Sequence, residues 1–257
     1  MINRQKSITK TRHTKTKHNS ISVLSYNVSW ESMSGKDKNW YLCSNNNNSI
    51  NKNYVSVCVS NIGKVINENP TDFITLQEAD NYKKLLNECP QLKKMKYKIH
   101  NSGLETCVTF WNNKYKILSS VEGEFENERP WLAILFTNGL CLINVHFGHY
   151  NRSEEYNKIN KMLNTINTKL NYTIKRYIIA GDFNYDIKNI GKKKGIINIH
   201  NNKFYYHLKH MLTCCVLRIK HYDHIIDSYK PPKDIFIPDV EYMASDHKPI
   251  IALLHQD

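Results

Sequence analysis

Six acidic or amide side chains fall at or just past the ends of apolar, strand-like runs: Asn27, Glu78, Asp182, Asn184, Asp223 and Asp246. Strand ends of packed sheets can converge on one rim. Carboxylate and amide oxygens gathered there are the ligands that a hard divalent cation such as Mg2+ or Mn2+ takes. A single Asp or Asn after a strand is more often only a turn former, so the weight lies in the repetition along the chain. Two histidines accompany the set: His146 ends the run Leu140 to Val145, and His247 directly follows Asp246. Imidazoles titrate near neutral pH and suit proton transfer, and Asp246, Asp223 and Glu105 are the carboxylates available to orient them.

The elements that must position these residues are legible as short apolar runs. Strands are expected at Ile21 to Val28, Phe73 to Leu76, Glu105 to Trp111, Trp131 to Phe136, Leu140 to Val145, Tyr177 to Ala180, His224 to Ile226 and Pro249 to Leu254. Most are continuously apolar, which implies cover on both faces. Helical spacing of Val55, Cys58, Val59, Ile62, Val65 and Ile66 runs from Tyr54 until Asn69 and Pro70 stop it. A second helix places Ile159, Met162, Leu163 and Ile166 on one side. The expected architecture is α/β, with sheets packed together and helices outside. Residues 1 to 20 are basic and nearly free of apolar side chains, so they read as a disordered arm ahead of one catalytic domain spanning 21 to 257. The stretch ending in Asn45 to Asn48 reads as an exposed loop, and Lys192 to Lys194 as a loop charge cluster.

Composition narrows the partners. Lys and Arg number 36 against 23 Asp and Glu, a net +13, which suits polyanions such as nucleic acid or anionic headgroups; solvation of a Lys- and Asn-rich chain explains it equally well. No run approaches the roughly 20 apolar residues of a membrane-spanning helix, and no signal peptide is evident. The seven cysteines have neither metal-site spacing nor disulfide-scaffold density, so reduced thiols in an intracellular compartment are expected, with the adjacent Cys214 and Cys215 unexplained. No protein partner is indicated.

Five segments, taken in order, resemble the motifs of the endonuclease/exonuclease/phosphatase superfamily: Leu24-Ser25-Tyr26-Asn27-Val28, Leu76-Gln77-Glu78, Asn144-Val145-His146, Gly181-Asp182-Phe183-Asn184 and Ser245-Asp246-His247-Lys248-Pro249-Ile250. A tripeptide alone is a weak signal, whereas five in sequence with matching strand contexts form a strong one. Asn101 to Glu105, Glu128-Arg129-Pro130 and Tyr222-Asp223-His224-Ile225-Ile226 lean toward deoxyribonuclease I. The resemblance implies a four-layer α/β sandwich of two mostly antiparallel β-sheets flanked by helices. It also implies a Mg2+- or Mn2+-dependent phosphodiesterase, a nuclease acting on DNA or RNA. Glu78 would hold the metal, with Asn27, Asp182, Asn184 and Asp246 completing or orienting the site. Glu105 would pair with His146 and Asp223 with His247; Arg129 would approach a substrate phosphate and Asn184 would stabilise its developing charge. The chain departs from the pattern at His224, where the family commonly has arginine. Rival readings are an abasic-site or end-processing DNA repair enzyme, an RNA deadenylase, a sphingomyelinase, an inositol-polyphosphate phosphatase, or a catalytically silent nucleic-acid binder.

Overall fold

A computed structural model describes residues 20–29, 54–103, 105–149, 152–187, 195–209, 211–215, 220–239 and 245–256. The expected N-terminal arm, the Asn-rich loop, Cys43 and the Lys192 to Lys194 cluster lie outside the described residues, apart from Ser20, which opens the first strand.

Two sheets face each other. The first runs β12 (Asp234–Phe236), β13 (Ile250–His255), β1 (Ser20–Asn27), β2 (Phe73–Gln77), β4 (Glu105–Trp111) and β3 (Lys96–Ser102). The second runs β5 (Ile117–Glu124), β6 (Pro130–Phe136), β7 (Leu140–His146), β8 (Arg176–Asp182), β11 (Asp223–Asp227), β10 (Asn202–Tyr205) and β9 (Ile196–Ile199). All pairings are antiparallel except β1 with β2 and β7 with β8. Each parallel pair requires a crossover, and each gets a helix: α1 (Tyr54–Glu68) lies between β1 and β2, and α4 (Arg152–Leu170) between β7 and β8. Two short helices, α2 (Tyr82–Glu88) and α3 (Pro90–Lys93), join α1 on the first sheet. This is the expected two-sheet sandwich with helices on both outer faces.

Three apolar layers hold it. Val59, Ile62, Val65 and Ile66 of α1 pack on Leu24, Tyr26, Ile74 and Leu76. Ile159, Met162, Leu163 and Ile166 of α4 pack on Cys141, Ile143, Val145 and Ile179. Between the sheets lie Val23, Phe73, Leu142, Ile178, Ala180, Ile225 and Ala252. Because successive strand residues face opposite ways, this middle layer fixes the direction of everything at the strand ends. Residues in step with it point inward: Asn27 with Val23, Gln77 with Phe73, Glu105 with Trp111, His146 with Leu142, Asp182 with Ala180, and Asp223 with Ile225.

The opposite end of that layer is closed by a different polar group. Arg176 forms a two-pronged ion pair with Asp227, Nε to Oδ1 at 2.9 Å and Nη2 to Oδ2 at 2.6 Å, and its Nη1 donates to the His255 carbonyl at 2.8 Å. Both side chains are buried, and a buried pair of this kind survives only with its hydrogen bonds made.

Candidate active site

Sheet register brings the inward-facing polar residues together. His146 lies beside Asp182 across the parallel β7 and β8 pair, and Asp182 lies beside Asp223 across β8 and β11. From the facing sheet Asn27 ends β1, and Glu78 follows β2 with a left-handed backbone, φ 54°. Glutamate rarely adopts that conformation, and its presence directly after a strand marks a position that the surroundings hold against local preference. Asn184, with φ 50°, makes the corresponding turn after β8. Gly181 allows the approach on that side: a Cβ there would stand 1.9 Å from the Val145 carbonyl oxygen, so no larger residue fits without moving β8 from β7.

The contacts join the two sheets. Asn27 Nδ2 donates to Glu78 Oε1 (2.9 Å) and to Asp182 Oδ2 (3.0 Å). Asp182 Oδ1 accepts from the Asn184 backbone N–H at 2.7 Å. Asn184 Nδ2 donates to the Phe147 carbonyl at 2.8 Å and lies 3.3 Å from His146 Nε2. His146 Nδ1 is 2.8 Å from Glu105 Oε2, and His247 Nδ1 is 2.9 Å from Asp223 Oδ2. The Nε2 atoms of both histidines are 3.5 Å from the same Asp182 oxygen. Arg129 Nη1 reaches Glu105 Oε1 at 2.5 Å and stands 2.7 Å from His146 Nε2, so its guanidinium belongs to this carboxylate group.

Electrostatics follow from the geometry. Burial opposes a charge on His146, but Glu105, Asp182 and Glu78 outweigh it and hold its pKa above the usual value. Burial likewise works against His247, and Asp223 with Asp182 raises it well above that value. Burial would lift Asp182, yet the two histidines and the amides of Asn184 and Asn27 keep it below the usual carboxylate range. Glu105 is lowered in the same way, with His146 and Arg129 overcoming burial.

Asp246 stands somewhat apart. Ser245 Oγ lies 3.5 Å from Asp246 Oδ1, and among the described residues this aspartate belongs to none of the three compact groups of ligating Asp, Glu and His side chains. Its loop is nevertheless tied to the site, since Ser245 Oγ donates to the Asn27 carbonyl and the His247 N–H donates to Ser245 Oγ. The segment 211–215 braces the loop from behind. The Cys215 N–H donates to the Asp246 carbonyl, Lys248 N–H to the Thr213 carbonyl, and Thr213 Oγ1 accepts from the Asp223 N–H. Cys214 and Cys215 are joined there in a vicinal disulfide, adjacency in the chain bringing their sulfurs together, and Cys58 is disulfide-bonded as well, which corrects the expectation of reduced thiols at these three positions. Cys89, Cys107 and Cys141 are free and buried.

Three contributors escaped the sequence. Gln77 Nε2 donates to Asn144 Oδ1 at 2.7 Å, while Asn144 Nδ2 donates to the Leu76 and Val108 carbonyls, locking the sheets together behind the site. Both sit inside motifs, where nothing distinguishes them from strand filler. Glu155, in the first turn of α4, is wholly buried, and neither of its carboxylate oxygens has a hydrogen-bond partner among the described residues. Burial and nearby Asp182 push its pKa up to about 9. The signal was present: Glu155 precedes Ile159 by four residues and so lies on the apolar stripe.

The groups Glu78, Glu105, His146 and Asp182, Asp223, His247 each bring three ligating atoms within 4.8 Å. Their oxygen-rich donors fit a divalent metal, and the buried Asp223 Oδ1, which makes no hydrogen bond, is the kind of anionic lone pair a cation satisfies. No helix among the described residues is long and apolar enough to cross a membrane.

No family model matches the chain. An uncharacterized protein of Acanthamoeba polyphaga mimivirus is 30% identical over 256 residues, covering 90% of this chain and 50% of the relative, so the chain spans about half the length of the curated relative it matches. Among solved structures, an endonuclease/exonuclease/phosphatase from Bacteroides vulgatus superposes with a TM-score of 0.64 at 15% identity, covering 93% of this chain and 99% of that one. Truncated TDP2 of Caenorhabditis elegans gives 0.63 at 13% identity, covering 92% and 98%. The fold of this chain is therefore the α/β sandwich of the endonuclease/exonuclease/phosphatase superfamily.

Proposed function

We propose that this chain is a Mg2+-dependent phosphodiesterase of deoxyribonuclease I-like character that cleaves nucleic acid by in-line attack of water. The observation that carries the reading is the convergence of two carboxylate-backed histidines, His146 with Glu105 and His247 with Asp223, on Asp182 at the junction of both sheets. Hydrolysis of a phosphodiester needs one group to take a proton from water and another to return one to the leaving oxygen, and two such histidines meet that need.

Glu78, with Asn27, Asp182, Asn184 and Asp246 completing or orienting the site, would hold Mg2+ or Mn2+, which would supply Lewis-acid polarisation of the scissile phosphoryl group. His247 accepts the proton of the attacking water; Asp223 fixes its ring and balances the charge it gains. His146 donates to the leaving oxygen while Glu105 orients it. Asn184 Nδ2 and Arg129 stabilise the negative charge that builds on the phosphoryl oxygens. The net charge of +13 supports a polyanionic substrate.

The test is hydrolysis of single- and double-stranded DNA, an abasic-site duplex, RNA and sphingomyelin, with Mg2+ or EDTA. Metal-dependent cleavage of nucleic acid is expected, falling by orders of magnitude in Glu78→Gln and by about 10²–10⁴-fold in His247→Ala, with the fold intact. Near-normal turnover in either variant refutes the assignment, and cleavage confined to abasic duplex or sphingomyelin transfers it to another substrate class.

A further inference from the structure

The outer face of the second sheet carries another group of ligating side chains. His224 follows Asp223 in β11, so strand alternation turns its imidazole away from the layer between the sheets and toward Phe183, ring centroids 5.3 Å apart. Asp186, shortly after β8, and His221, just ahead of β11, close on it. His221 Nδ1 lies 3.6 Å from Asp186 Oδ1, and the two imidazole centroids are 4.5 Å apart. One ligating atom from each of the three residues falls within 4.8 Å of the others. Both histidines are buried, while the Asp186 side chain keeps 27% of its surface exposed, which leaves the cluster a side open to solvent. None of the three belongs to the hydrolytic set.

We propose that Asp186, His221 and His224 form a second metal centre, selective for a Zn2+-class divalent ion. Two borderline imidazoles with one carboxylate form a donor set that zinc and its neighbours accept, whereas Mg2+ prefers oxygen donors and retains its waters. The His224 imidazole is enclosed against Phe183 and His221. Backbone groups already hold that ring in place, with the Tyr185 carbonyl 3.0 Å and the His221 carbonyl 3.1 Å from Nε2, the kind of support that orients histidines at metal sites. His224 is also the residue by which the chain departs from the pattern it resembles. The segments such an ion would join are those that carry Asp182, Asn184 and Asp223. The centre therefore braces the hydrolytic site from the reverse side of the same two strands.

Zinc content of the untagged full chain, loaded with Zn2+ and dialysed against a weak chelator, tests this independently of any hydrolysis. Wild type and Glu78→Gln are expected to retain the same tightly held equivalent. Asp186→Ala and His224→Phe are expected to lose one equivalent, along with the zinc-induced rise in melting temperature. Folding of both variants is checked by circular dichroism in EDTA, and Asp186→Ala, at the exposed edge, serves if the buried substitution unfolds the chain. Excess Mg2+ should leave the bound zinc in place. The proposal is overturned if wild type retains no zinc, if Asp186→Ala retains as much as wild type, or if Glu78→Gln alone removes it.

Discussion

The site turns on how each histidine is held. His146 is fully enclosed, and a buried imidazole without a carboxylate would lose its proton more readily than in water. Its pKa is instead raised because Glu105, Asp182 and Glu78 surround it, with Glu105 2.8 Å from Nδ1. Replacing Glu105 with Gln removes that carboxylate and leaves the burial, so the His146 pKa should fall. A histidine acting as the acid works only while protonated; the alkaline limb of the pH–rate profile should therefore move to lower pH in Glu105→Gln. Titration of the His146 ring by NMR in the metal-free protein checks the same shift directly. An unchanged His146 titration would mean that Asp182 and Glu78 alone sustain the proton and that Glu105 serves Arg129 instead.

At the scale of elements, legibility followed burial. Of the strands recognised in the sequence, β2, β6, β7 and β8 are buried along their whole length and read as mainly apolar runs, and β1, β4 and β13 are buried over most of theirs. Those that escaped are all four sheet edges, β3, β5, β9 and β12, together with β10 next to an edge. An edge strand packs on one side only and carries polar residues on the other, as in Lys96-Tyr97-Lys98 of β3, so its sequence resembles a loop. The site residues were legible because they interrupt apolar runs at strand ends; Gln77, Asn144 and Glu155 were not, since polar side chains inside elements show no partner in one dimension. Glu155 yields a prediction about α4. Its carboxyl is raised from 4.5 to about 9 in the folded chain. Below pH 4.5 both folded and unfolded forms are protonated, and the shift has no effect on stability. Between 4.5 and about 9 only the unfolded chain ionises, so stability falls as pH rises. Glu155→Gln should therefore gain stability over wild type by roughly 1–3 kcal/mol at pH 8 and show little of that gain at pH 4.5, by urea unfolding at both values. A gain independent of pH would show that packing rather than ionisation is responsible.

For the whole molecule, charge and architecture act at different ranges. The sandwich gathers the candidate site residues at one end of the layer between the sheets and closes the other end with Arg176 and Asp227. The net charge of +13 acts over about 8 Å in physiological salt and draws a polyanion toward the surface without aligning it. Six of the basic residues fall within the first 19, which contain no acid, so this segment holds a large share of the excess in a short length. If both the arm and the domain surface grip backbone phosphates, affinity for a 20-base-pair duplex should fall steeply between 50 and 200 mM salt, by about 10³-fold or more for six to ten phosphate contacts. Deleting residues 1–19 should reduce the slope of log affinity against log salt by several units and weaken binding at low salt. Turnover of substrate already bound should be preserved, because no residue of the site lies in that segment. Fluorescence anisotropy across a salt series, with single-turnover cleavage at saturating protein, separates the two effects. An unchanged slope on deletion would assign the phosphate contacts to the folded domain and leave the arm without a part in substrate capture. A loss of single-turnover rate would instead place the arm in the assembly of the site itself.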